Sequence, residues 1–450
     1  MSVPAYPEFK DSGVPWLGAV PIAWSVERFR HVFRESGEKI EVEVVGPMLS
    51  VSGYRGIEIK EYDDENRRRL DEELVGYRIV RPGQLVVNTM WLNYAGLGVS
   101  DHEGHVSPAY RSYWIEREVD RRFIHHLMRS SIYVQGYTRL LTGIRPNSLQ
   151  MSRDDLMDFP VLLPPADEQA TIAAFLDRET AKIDALVAEQ ERLIALLKEK
   201  RQAVISHAVT KGLNPDAPMK DSGIEWLGEI PAHWDATAVK QTVSLVTSGP
   251  RGWSDLASDD GAFFFQSQNI GRDMEADFSQ GKRIEVPIGP DAERARLQLD
   301  DVAVCITGGR TGAVAHIDEL AEDAFINQHV CVLRPRPGRI VGRYLAFSLF
   351  GLPGQEQLAL AMYGLKQGLS LENVREVSLP LPPLDEQRDI AEFLNKYSSD
   401  VRSLISEAQS AITLLQERRA ALISAAVTGK IEVRGLVDTP ARANAELDAA

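Results

Sequence analysis

Cysteine is almost absent from this chain: Cys305 and Cys331 are the only two in 450 residues. They have no metal-ligand spacing and could form at most one bridge, so neither a disulfide framework nor a thiolate metal site is expected. No apolar run reaches the roughly 18 to 20 residues of a spanning helix. Pro4, Pro7 and the early charges leave no signal-peptide core, and a cytoplasmic location is expected. Positive charge is also short, with 50 Lys and Arg against 65 Asp and Glu and a net charge of −15. A chain gripping nucleic acid by phosphate neutralisation alone would need the opposite balance. Basic residues do cluster locally, at Arg67 to Arg69, Arg121 and Arg122, Lys282 and Arg283, and Arg334, Arg336, Arg339 and Arg343.

What the chain has is a repeat. Lys10-Asp11-Ser12-Gly13 recurs as Lys220-Asp221-Ser222-Gly223, followed in each copy by Trp-Leu-Gly (Trp16, Trp226), Pro (Pro21, Pro231) and Trp (Trp24, Trp234), all offset by 210. A second pair of blocks closes each half at an offset of 218. Pro164-Pro165-Ala166-Asp167-Glu168-Gln169 answers Pro382-Pro383-Leu384-Asp385-Glu386-Gln387, and Ile205-Ser206-His207-Ala208-Val209-Thr210 answers Ile423-Ser424-Ala425-Ala426-Val427-Thr428. Repeats of this kind mark duplicated structural units.

The middles, roughly 30–150 and 240–365, share little sequence. Short runs rich in β-branched and aromatic residues, such as Arg78–Val80, Leu85–Val87, Phe263–Phe265, Val302–Ile306 and Val330–Leu333, sit between Gly, Pro, Asn and Asp clusters and read as strands. An α+β globular domain in each half follows.

The closing blocks have neither Pro nor Gly from Asp167 to Thr210 and favour good helix formers. Pro165 and the acidic first turn start that helix and Gly212 stops it. Its apolar positions Leu176, Ile183, Leu186, Leu193, Leu197 and Val204, with their counterparts Leu394, Val401, Leu404, Ala411, Leu415 and Leu422, approximate a coiled-coil seam. Two such helices are length-matched partners, and an antiparallel intramolecular coiled coil with pseudo-two-fold symmetry is expected. The expected division is 1–163 first domain, 164–212 first helix, 213–381 second domain, 382–430 second helix and 431–450 a flexible tail. Two similar but non-identical domains on a pseudo-two-fold suit a DNA target of two unlike half-sites, with the helix pair setting their spacing.

Leu-Pro-Pro-x-Asp-Glu-Gln followed by Ile-Ala-x-Phe-Leu, the later Ile-Ser-x-Ala-Val-Thr and the opening Asp-Ser-Gly-x-x-Trp-Leu-Gly resemble the specificity subunits of Type I restriction-modification systems over nearly the whole chain. Further family-like features are Leu299-Asp300-Asp301-Val302, Thr307 to Gly312, Ile326-Asn327-Gln328-His329 and Gly364 to Gly368. The first domain has the weaker counterparts Arg81 to Val86 and Val106 to Tyr110. The resemblance implies two target-recognition domains separated by spacer helices, in a prokaryotic defence complex with double-stranded DNA, two methyltransferase subunits and restriction motor-nuclease subunits. It implies adenine as the methylated base, and places S-adenosylmethionine, ATP and Mg on the partners, with no cofactor and no catalytic residue in this chain.

Side chains suited to base edges are expected in loops: Arg55, Asn88, Asn93, Arg111 and Arg145 in the first domain, beside Tyr54, Trp91 and Tyr110. In the second they are Gln266, Gln268, Asn269, Arg310, Asn327, Gln328, Lys366 and Gln367. Gly308, Gly309 and Gly312 lack the Gly-Lys-Ser/Thr of a phosphate loop, and Asp101 to His105 lacks the His-Glu-x-x-His spacing. The repeated tryptophans suit packing on a shared scaffold. An autonomous enzyme is disfavoured because no Asn-Pro-Pro-Tyr-like motif or nuclease cluster is present; the alternative is a coiled-coil protein-binding adaptor.

Overall fold

A computed structural model describes residues 4–62, 71–116, 118–142, 150–362 and 368–436. The chain divides into two compact units, Met1–Gln190 with Ser410–Ala450, and Glu191–Gln409. The first unit is therefore completed by the end of the chain. Among the described residues no helix is long and apolar enough to cross a membrane.

The matched blocks are neighbours in space. In the first unit the hairpin Phe9–Asp11/Ala19–Pro21 leads into Ser25–Arg28, which pairs antiparallel with Pro160–Leu163, the last strand before the long helix. In the second unit Asp235–Ala238 pairs with Ser378–Leu381 in the same way. Each domain thus closes on itself, with its dissimilar middle looped out between two paired strands.

Those middles share a sheet that their sequences hide. The four-stranded antiparallel order is Phe33–Glu35, Tyr110–Ile115, Leu85–Asn88, Leu97–Val99 in the first unit. It is Val243–Ser248, Val330–Pro335, Val302–Cys305, Val314–His316 in the second. All five runs expected to be strands are strands. The sheet of the second unit is buried on both faces: Val302 and Val304 pack with Trp234 and Tyr344, whereas Ala303 and Cys305 pack with Phe263 and Phe265. Alternation puts Cys331 on the first of these faces and Cys305 on the other. The two free thiols therefore cannot meet, and full burial pushes that of Cys331 up to about 12. A second sheet, including the parallel pair Phe264↔Phe325, covers the outer face. In the first unit two ribbons, Leu49–Ser52/Gly56–Ile59 and Arg78–Val80/Gly104–Val106, lie there instead.

The long helices are Ala166–Lys211 and Leu384–Val427, each about 65 to 70 Å long at 1.5 Å per residue. Buried or half-buried positions in the first run Leu176, Thr180, Ile183, Val187, Gln190, Ile194, Leu197, Arg201, Val204, Ala208, in alternating steps of four and three. Every one has a buried or half-buried counterpart 218 residues on, from Leu394 through Ile405 to Ala426, which is the 3.5-residue repeat of a coiled coil. The helices run antiparallel where they meet in the first unit. Asp184 binds Arg419 at 2.9 Å, while Leu176, nearer the start of one helix, shares a core with Ala426 and Val427, nearer the end of the other.

Three expected seam residues are corrected: Leu186, Leu193 and Leu404 are 52%, 43% and 48% exposed. Val187, Ile194 and Ile405 take the inward places, because the step from Ile183 or Val401 is four residues rather than three. Leu176, Ile183, Leu394 and Val401 are buried, and Leu197, Val204, Leu415 and Leu422 half-buried.

Each long helix stops on a repeated tryptophan. Gly212, at φ +77°, ends the first helix beside Trp234 and Pro231; Gly429, at φ +69°, follows the second beside Pro21 and Trp24. A side chain at 429 would come within 2.3 Å of Pro21. Trp24 and Trp234 are fully buried, as packing residues should be, while Trp16 stacks on Phe159 and Trp226 stays partly exposed. The expected tail begins in the core. Val433 is fully buried, Glu432 donates its amide to the Pro4 carbonyl, and Arg434 lies over the Tyr6 ring; residues 437–450 lie outside the described residues.

Candidate nucleic-acid interface

The Asp-Glu-Gln block does more than start a helix. Gln169 is buried, donates to the Pro164 carbonyl (2.8 Å) and accepts from the amide of Asp120, the residue capping helix Arg121–Arg129. Gln387 is its copy, donating to the Pro382 carbonyl and accepting from the amide of Val341 ahead of helix Gly342–Phe350. One amide at each site ties the long helix to its domain.

The loops away from these joints carry the candidate reading residues. In the first unit the turn of the Leu49–Ser52/Gly56–Ile59 hairpin presents Tyr54 and Arg55, the latter paired with Glu58 (2.7 Å). Beside it the Trp91–Tyr94 turn exposes both rings, 5.8 Å apart. A residue not foreseen from sequence holds the two together. Arg129 donates to the carbonyls of Ser52 (3.2 Å), Gly53 (2.9 Å), Ala95 (3.2 Å) and Leu97 (2.5 Å). Burial, together with nearby Arg419, lowers its guanidinium to about 10, so it remains a cation at neutral pH. A cavity of about 580 Å³ opens at this junction, lined by Tyr54, Arg55, Tyr94, His125, Arg129 and Arg419 among others.

The second unit repeats the device with another residue. Arg310, in the glycine turn after Val302–Cys305, donates to the carbonyls of Gln268 (3.2 Å) and Ile270 (2.7 Å), pinning that turn to the 266–270 loop. Arg310 is thus committed in large part to holding loops. Gly308 and Gly312, at φ +104° and +90°, form that turn.

Three expected base readers are corrected. Asn88, Asn269 and Asn327 are buried and spent on backbone: Asn88 accepts from Met90, Asn327 from His329, and Asn269 accepts from Gln266 while donating to Asp277 and Gln280. Each closes a turn, the role asparagine fills wherever its short amide can reach nearby backbone. Gln266 and Gln328 are half-buried and Gln268 exposed beside them. Asn93 is half-buried with its Oδ1 unpartnered. Arg145, Lys366 and Gln367, and the cluster Arg67 to Arg69, lie outside the described residues.

Arg111 joins Arg78 and Arg153 around one carboxylate, Glu35, at 2.8, 3.5 and 3.3 Å. Burial raises the Glu35 carboxyl, but the three guanidiniums outweigh it and hold it below its ordinary value. Three cations on one anion leave surplus positive charge at the edge of the first sheet in an otherwise acidic chain. One or two cations of each other described basic cluster have an acidic partner: Arg283 has Glu322, Arg334 Asp301, Arg343 Asp318, and Arg122 both Asp120 and Asp177. Among the described residues no group of His, Cys, Asp and Glu could hold a metal ion; His105 is buried with Nδ1 on the Val45 carbonyl.

Under the Tyr54 hairpin, His125 packs against Gly56, where a Cβ would come within 2.7 Å of its ring. Burial, then Arg129, lowers its pKa to about 3. The native state keeps this imidazole neutral while the unfolded chain protonates it near 6.5. Its contribution to stability is therefore complete above that pH and is lost progressively as pH falls toward 3, by about 2 kcal/mol at pH 5. In urea unfolding, the gap between the parent and His125→Gln should narrow by that amount from pH 7.5 to pH 5; an unchanged gap would show that this histidine is not the source.

Residues 293–413 match the family model for the Type I restriction modification DNA specificity domain. The chain is 24% identical over 349 residues to the Type I restriction enzyme EcoBI specificity subunit of Escherichia coli, covering 74% of this chain and 71% of that protein. It is 23% identical to the StySPI specificity subunit of Salmonella potsdam, covering 72% and 68%. Among solved structures, a chain of a type I R-M system superposes with a TM-score of 0.70 at 16% identity, over 92% of this chain and 99% of that one. The HsdS subunit from Thermoanaerobacter tengcongensis gives 0.50 at 17% identity, over 92% and 98%. Repeat, fold and relatives agree: along most of its length the chain is similar to the specificity subunits of Type I restriction-modification systems, and residues 293–413 carry their DNA specificity domain.

Proposed function

We propose that this protein is a non-catalytic DNA-sequence-specificity subunit, each domain reading one half of an asymmetric bipartite duplex target. The observation that carries this is one four-stranded framework built twice, with the same strand order and different loops, on helices whose seams match position for position. An invariant frame with variable loops suits two unlike half-sites. Arg55, Asn93, Arg111, Gln266, Gln268 and Gln328 are the described candidates for contact, and Arg145, Lys366 and Gln367, outside the described residues, complete the set.

Exposed leucines outside the seam support docking on the helices. Leu186 and Leu196 of the first helix recur as Leu404 and Leu414 of the second, all four exposed. A repeated apolar face suits two copies of one partner, here two methyltransferase subunits, which would carry S-adenosylmethionine and modify adenine. Restriction subunits recruited to that complex would bring ATP and Mg.

The test is methylome sequencing of a methylation-free host carrying this gene with and without its cognate methyltransferase gene. A two-part asymmetric adenine motif is expected only with both genes, and replacing residues 30–150 or 240–365 should change only one half of it. No motif in any combination would overturn the reading in favour of a protein-binding adaptor.

A further inference from the structure

The two helix seams repeat one another, mostly with apolar residues, and the apolar positions cannot by themselves tell one domain from the other. Charge beside the seam can. Arg201 and Arg419 occupy the same seam position in the two helices, but the neighbouring position differs in sign, Asp184 in the first helix and Arg402 in the second. In the first unit Arg419 grips Asp184 at 2.9 and 3.3 Å, Asp184 accepts the Tyr54 hydroxyl at 2.5 Å, and the guanidinium lies 4.5 Å over the Tyr54 ring. Among the described residues no acid of the domain pairs with Arg419; the domain brings an aromatic lid.

In the second unit both helix residues are cationic and the domain brings the acids. Arg201, nine-tenths buried, meets Asp273 at 2.6 Å, and Arg402 pairs with Glu275, both acids on the loop that follows Asn269. Arg201 Nε has no partner, so Asp273 is its chief counter-charge. Like charges brought together at a buried site are costly, and a buried cation stripped of its partner more so.

We propose that the opposite charges at 184 and 402 assign each recognition domain to its own helix segment, so that domains of the Tyr54 type and of the Asp273/Glu275 type are not interchangeable. A Tyr54-type domain on the second segment would leave Arg201 and Arg402 without an acid. An Asp273/Glu275-type domain on the first would set two more carboxylates against Asp184. The assignment is independent of which bases either domain reads.

The decisive comparison uses full-length chains. In one, residues 240–365 also replace residues 30–150. Asp184→Arg is then placed in this duplicated chain and in the unaltered one, and the melting of the first unit is followed. The substitution should raise that melting temperature by several degrees in the duplicated chain and lower it in the unaltered chain; a change of the same sign in both overturns the proposal. If the duplicated chain does not fold in either form, the unaltered chain decides alone. Arg402→Asp should destabilise the second unit, and adding Glu275→Arg should recover at least half of the lost melting temperature. If Glu275→Arg deepens the loss instead, the assignment fails.

Discussion

The Arg334→Leu variant is expected to lose about 3 to 5 kcal/mol of stability in the second unit, the cost of stripping one partner from a buried ion pair. Asp301 is fully buried, with both carboxylate oxygens 2.9 Å from the Arg334 guanidinium. Even with that partner, burial leaves its carboxyl above the ordinary range. Without it, the carboxylate must stay buried and unpaired or take up a proton. The loss should therefore shrink as pH falls toward the raised pKa. Adding Asp301→Asn should return much of the loss, since no charge then needs a partner. Arg283→Leu, which breaks the exposed pair with Glu322, should cost far less, because solvent screens that pair. Urea unfolding of the three variants checks the set, and a loss at Arg334 no larger than at Arg283 would refute the ranking.

The Arg129→Met variant should lose binding to one half-site by roughly 30-fold or more while the other half-site is read as before. Hydrogen bonds from a charged donor contribute about 1.5 to 3 kcal/mol each, and this guanidinium reaches four carbonyls on the two loops that carry Tyr54, Arg55, Trp91 and Tyr94. Forfeiting even about 2 kcal/mol of loop order accounts for that factor. Competition binding of the assembled complex to duplexes altered in one half-site or the other measures it, and faster hydrogen exchange across residues 49–59 should accompany it. Unchanged affinity with faster exchange would mean that these loops do not touch the target.

The repeat was legible because its residues are tied to their roles by geometry that tolerates little else. Trp24 and Trp234 each fill the space beside a helix-ending glycine, Gln169 binds two backbone groups at once and Gln387 three. The seam was legible in period and in most of its positions, but not where two apolar residues are adjacent. Leu186-Val187, Leu193-Ile194 and Leu404-Ile405 are adjacent apolar pairs, and only packing decides which member turns inward. The strands of the middles were legible but their common pairing was not, because a pairing such as Leu85 to Val99 or Val302 to Leu333 requires apolar residues on both faces rather than particular side chains. Among the candidate readers the errors share one cause: Asn88, Asn269 and Asn327 carry the right amide for a base edge, and the same amide closes a turn.

The pairing of Ser25–Arg28 with Pro160–Leu163, and of Asp235–Ala238 with Ser378–Leu381, has an evolutionary consequence. A foreign segment inherited by crossover within the flanking repeats joins the old chain at two points that are already hydrogen-bonded to one another. Neither junction has to be reinvented, and the long helix downstream receives the same leading strand whatever was inserted. A lineage under pressure to rewrite half of its recognition can therefore do so in one genetic exchange with a segment matched to the same helix, without passing through a misfolded ancestor.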